Sequence, residues 1–96
     1  MYLAFTQVAS SGAVKTVADL GTIPGNATHA ELQSDTQDIR YTMDGETDPT
    51  STSGMLLVTT HEPKTFLIDD VRNIRFTQGA GGAGKLNIHY FGGYAS

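Results

Sequence analysis

The hydrophobic period of this chain limits its fold more than any other feature. No window of helical length keeps apolar residues at i, i+3, i+4 and i+7, while short runs alternate with period two between clusters of turn residues. Ala30, Leu32 and Ser34 alternate with His29, Glu31 and Gln33. Ile39, Tyr41 and Met43 alternate with Asp38, Arg40 and Thr42, and Leu86, Ile88 and Tyr90 with Asn87 and His89. Each run suits a strand with one covered and one wet face. Residues 13–18 read as a short β-branched strand, 55–59 as a strand buried on both faces, and 64–68 and 71–77 as two more, with Ile74 and Phe76 inward and Arg75 outward. Only residues 67–71 leave room for a single helical turn.

Turn chemistry separates these runs. Ile23-Pro24-Gly25-Asn26, Asp44-Gly45, Asp48-Pro49, Ser53-Gly54, His61-Glu62-Pro63 and the glycines of residues 79–84 supply fixed φ or tolerance of positive φ. Short strands with turns roughly every 8–12 residues predict a small antiparallel β-sandwich, Ig-like or jelly-roll-like, of about seven strands. At 96 residues the chain makes one domain, 1–96. Residues 1–12 lack a turn-bounded pattern and read as an extended N-terminal arm. The last strand is expected to stop near Phe91, leaving 92–96 as a flexible tail.

Charge and composition exclude several function classes. The net charge is −4, and the six basic residues are scattered, so no track matches a phosphate backbone and nucleic acid is not the expected partner. There is no cysteine, hence no disulfide framework or thiolate zinc site. No apolar run approaches the roughly 18 residues of a membrane helix, and the first residues lack the basic region of a secretory signal. A soluble protein is expected, with no membrane contact.

The motifs that suggest chemistry fail on their surroundings. Residues 79–84 satisfy G-x-G-x-x-G, and Lys85 nearly completes a phosphate-binding loop. Both mechanisms need a helix to follow, whereas Leu86 to Phe91 alternates as a strand, so a hairpin loop is expected. Asp44, Glu46 and Asp48 have calcium-loop spacing, but Pro49 and Met55 stand where that loop needs glycine and a bidentate acid. His29, His61 and His89 fall on separate segments, and no nucleophile elbow or paired carboxylates accompany them. No enzyme activity, metal or cofactor is expected. Tyr41, Tyr90, Phe66 and Phe76 lie on inward phases and belong to the core. Tyr2, Phe5 and Tyr94 lie in the two end segments, where an aromatic side chain has little use unless it docks on another chain; these three are the candidate interaction residues.

Residues 39–45 (Ile-Arg-Tyr-Thr-Met-Asp-Gly), followed by Asp48-Pro49-Thr50 and Ser53-Gly54, resemble a strand-turn motif found in two settings. One is the small immunoglobulin-like module at the C-terminus of chitobiase-type glycosidases, from which this chain differs by one extra residue between Gly45 and Pro49. The other is a set of small virion proteins of tailed bacteriophages. Gly54-Met55-Leu56-Leu57, Asn73-Ile74-Arg75-Phe76 and residues 84–91 are similar to that second set, and the likeness spans residues 26–91. It implies a capsid decoration or cementing protein that binds the head lattice and stabilises it. The expected partners are the major capsid protein or other virion proteins, in a homo-oligomer on a symmetric particle, with the location the virion, assembled in the host cytoplasm. A neck or tail accessory protein and a carbohydrate- or ligand-binding module are the alternatives.

Overall fold

The computed structural model describes residues 1–92. Among them, eight strands form two antiparallel four-stranded sheets, a small all-β sandwich. The strands are β1 (Tyr2–Ala9), β2 (Lys15–Thr16), β3 (Ala27–Asp35), β4 (Ile39–Thr42), β5 (Met55–Leu57), β6 (Lys64–Leu67), β7 (Arg75–Gln78) and β8 (Lys85–Gly92), with one helical turn, α1 (Ile68–Val71), after β6. The first sheet runs β1-β8-β3-β6 and the second β2-β7-β4-β5. Of the sequential connections, only that between β4 and β5 stays within one sheet; the others cross from one layer to the other.

The alternating residues fill the space between the layers. Ala30 and Leu32 of β3 and Leu86, Ile88 and Tyr90 of β8 face Ile39 and Tyr41 of β4, Leu57 of β5 and Phe76 of β7, all buried. Phe66 packs on this cluster and meets Tyr41 edge to face, with ring centroids 5.8 Å apart. Inside, the Ser34 hydroxyl donates to the Leu57 carbonyl at 2.9 Å across the sandwich, while the Tyr90 hydroxyl is buried without a partner. The Ser10 hydroxyl donates to the Gly84 carbonyl and accepts from the Gly84 N–H.

Several expectations need correction. Residues 2–9 are not an arm. They form β1, paired along its length with β8 at one edge of the first sheet, with a bulge that sets Tyr2 and Leu3 against Phe91. The glycine run 79–84 is not a hairpin loop, because β7 and β8 lie in different sheets; it carries the chain between them. Its tightness is steric: a Cβ at Gly84 would lie 2.6 Å from the Gln37 carbonyl oxygen, and one at Gly79 2.9 Å from that of Asp38. The expected strand over 13–18 shrinks to two residues, because a 3₁₀ turn begins at Val17 and the Asp19 carboxylate accepts the Thr16 N–H at 2.8 Å. The segment 55–59 gives only a three-residue edge strand, Met55–Leu57, in which Leu57 is buried while Met55 and Leu56 are exposed. In 71–77 the helical turn foreseen over 67–71 extends to Val71, and the strand begins only at Arg75.

Candidate functional site

Strand pairing decides which outward side chains of the first sheet become neighbours. Across it, Tyr2, Phe91, His29 and Leu67 form one row, and Phe5, His89, Glu31 and Thr65 the next. Gln7, Asn87 and Gln33 follow, then Ala9, Lys85 and Asp35. The face is therefore graded, with all the aromatic rings at one end beside Glu31 and Thr65, amides in the middle and a charged pair at the other end. In the amide row Gln7 Nε2 donates to Asn87 Oδ1 at 2.7 Å.

The aromatic end is well ordered by its own contacts. Tyr2 meets His89 at 5.4 Å and Phe91 at 6.2 Å, and Phe5 meets His89 at 5.2 Å, all edge to face. His29 stacks on Phe91 at 5.9 Å with 19° between the planes, and the Thr28 hydroxyl lies 2.8 Å from His29 Nδ1. Such ring pairs fix side-chain positions before any partner arrives. Even so, Tyr2 remains 54% exposed, Phe5 49% and Leu67 68%. A sheet face normally turns polar side chains to water, and the contiguous large apolar groups here set this end of the face apart from that pattern.

Two of the three residues singled out from the sequence, Tyr2 and Phe5, thus come together on one face. They sit on a paired strand rather than on an arm. Tyr94 lies outside the described residues. Sequence reasoning missed Phe91, His29 and His89 as members of this face. Phe91 carried a readable signal, an apolar residue on the wet phase of β8. The histidines were correctly placed on polar phases, but only the pairing of β3 with β8 makes them neighbours.

The carboxylates with calcium-loop spacing serve the loop itself. Asp44 accepts the backbone N–H groups of Glu46 and Thr47 at 2.9 and 2.8 Å and the Thr47 hydroxyl at 2.6 Å. Those three donors, the hydroxyl foremost, hold its carboxyl down to about 2. Asp48 pairs with Arg75 at 2.6 Å. Beside this loop lies a depression of about 400 Å³, lined by Gly12, Val14, Asp48, Pro49, Thr50, Ser51, Thr77 and Gln78. It gathers no set of acid, base and nucleophile, its one ionisable group being the Asp48 held by Arg75. Among the described residues no three His, Cys, Asp or Glu side chains converge as metal ligands.

Compared with known protein families, curated proteins and solved structures, the chain matches none of them.

Proposed function

We propose that this chain is a non-enzymatic structural protein of a tailed-bacteriophage virion, one that decorates the head by laying the aromatic end of the first sheet on the capsid lattice. The observation that carries the reading is the pair of outward rows Tyr2-Phe91-His29-Leu67 and Phe5-His89 on an otherwise polar face. Covering a half-exposed aromatic or leucine side chain is worth about 2 kcal/mol, so a few of them suffice for a specific contact. Lys85 and Asp35 lie at the far end of the face, and Glu31 is the one charged residue of the two aromatic rows, so few ions are desolvated on docking. The resemblance of residues 26–91 to small phage virion proteins supplies the identity of the particle. A carbohydrate platform is less well served, because apart from His29 and Phe91 the rings of this face stand edge to face rather than coplanar.

The test is reconstitution. Purified protein is added to capsids lacking it and the shells are sedimented. The unmodified chain is expected to co-sediment and raise the temperature at which the shells break, while a variant carrying Phe5→Ser and Phe91→Ser does neither. Failure of the unmodified chain to bind shells overturns the head assignment, and binding to isolated tails instead moves the same face to another part of the particle.

A further inference from the structure

The outer edge of β1 is free in backbone terms and lies beside the aromatic face, with Phe5 common to both. The N–H of Ser10 donates to the Gly84 carbonyl at 2.8 Å, and the register from Ala4↔Tyr90 to Ala9↔Lys85 is unbroken. In an antiparallel ladder hydrogen-bonded pairs recur at every second residue. Ala4, Thr6, Val8 and Ser10 therefore direct their backbone groups to β8, and Phe5, Gln7 and Ala9 direct theirs away from it. No other described strand pairs with β1, and no backbone group among the described residues bonds these three. All three residues are exposed.

Natural edge strands are short, or carry charge or proline, because unpaired backbone invites another strand. The remaining edges obey this: β2 has two residues, β5 three, and β6 has four that begin with Lys64 directly after Pro63. β1 does not. Its eight residues, Tyr-Leu-Ala-Phe-Thr-Gln-Val-Ala, contain no charge, proline or glycine.

We propose that β1 pairs antiparallel with β1 of a second copy about a two-fold axis at Thr6, joining two first sheets into one continuous eight-stranded sheet. The strand is complementary to itself in three respects. Opposed residues of an antiparallel pair share a face, and this axis sets outward Phe5 against outward Gln7 of the second copy and inward Ala4 against inward Val8. Phe5 and Gln7 are also the residues whose backbone groups are free, so the pair exchanges two hydrogen bonds on each side of the axis. Since the strand is uncharged, no like charges meet across the axis despite a net charge of −4 per chain. An axis at Phe5 would run the pairing through the bulge at Tyr2 and Leu3, and one at Gln7 would shorten it to residues 5–9; the Thr6 axis pairs residues 3–9 and meets the bulge only at Leu3. The inference concerns the edge and stands whether or not the aromatic face docks on a capsid.

The chain has no cysteine, which makes cross-linking a clean test. In this register Thr6 faces Thr6 of the second copy in a non-hydrogen-bonded pair, with Cα atoms about 4.5 Å apart, within disulfide reach. Under mild oxidation Thr6→Cys should convert to a covalent dimer, while Ala9→Cys, more exposed but facing Leu3, should stay monomeric. Sedimentation of the unmodified chain should give twice the monomer mass. Gln7→Pro should halve it with the circular dichroism spectrum retained, since it removes only an N–H that points away from β8. A monomeric unmodified chain at concentrations up to about 1 mM overturns the proposal. So does a dimer in which the two cysteine variants oxidise alike, or one that survives Gln7→Pro.

Discussion

Between β4 and β5 the chain turns its polar groups on itself, whereas along β1 it turns apolar side chains and free backbone groups to the outside. In the loop, Asp44 accepts three hydrogen bonds from the two residues that follow Gly45, and the Thr42 hydroxyl donates to the Thr47 carbonyl at 2.6 Å. Arg40 Nη1 donates to the Gly54 carbonyl at 2.9 Å, and Arg75 joins the Asp48 carboxylate to the Gly45 carbonyl. The loop is long and polar yet closed on itself. β1 is regular secondary structure yet left unfinished. In this molecule irregular backbone is therefore the self-sufficient part, and function is to be sought on a strand.

That contrast can be broken first at Gly54, where the largest effect is expected. Its φ is +118°, and a Cβ there would lie 3.0 Å from Pro49 Cβ and 3.2 Å from the Tyr41 carbonyl oxygen. Gly54→Val should cost about 3 kcal/mol, from backbone strain and overpacking together. Urea unfolding measures it, and the folded fraction should still co-sediment with shells. A cost below about 1 kcal/mol would mean that the loop is adaptable rather than fixed.

The opposite prediction holds for the aromatic face. Replacing Phe5 and Phe91 together by Ser should lower stability by no more than about 2 kcal/mol, since Phe5 meets the His89 ring and Phe91 those of Tyr2, His29 and His89 at the surface, and the core cluster stays intact. If the urea midpoint falls as far as it does for Gly54→Val, the rings serve the fold, and the face is not reserved for a partner.

The two regions also differ in how far the sequence announces them. Asp44-Gly45, Pro49 and Ser53-Gly54 name their turns by local chemistry, since each residue adopts or stabilises a conformation within a few positions of itself; Gly45 has φ +76° as the Asp-Gly step requires. The alternation of β3, β4 and β8 was readable for the same reason. β1 was hidden by two features. The bulge at Tyr2 and Leu3 shifts the phase of its side chains, so that Leu3 and Ala4 both turn toward the core cluster. Its outward positions include Tyr2 and Phe5, so apolar residues stand on both faces and the period-two signal is lost. Which strands lie side by side was beyond local reading, because nearly every connection changes layers.

The smallest effect is expected at Asp44, and it tests whether the loop's closure is electrostatic as well as geometric. The carboxylate is solvent-exposed, so its depressed pKa of about 2 comes from donated hydrogen bonds: the Thr47 hydroxyl first, then the Glu46 and Thr47 amides. An unfolded aspartate titrates near 3.9. Because the folded value lies lower, the folded state favours the ionised form, and the stabilisation is full above pH 4 and is lost as pH falls from about 4 through about 2. Asp44→Ala should remove that part of the acid sensitivity, so the melting temperatures of parent and variant should converge between pH 4 and pH 2. Thr47→Val, which deletes the leading donor, should raise the Asp44 pKa toward the unfolded value in a carboxyl NMR titration. An Asp44 that titrates near 3.9 in the parent chain would show the three donors to be spent on water, and the loop would then be held by Arg40, Arg75 and the Thr42 hydroxyl without it.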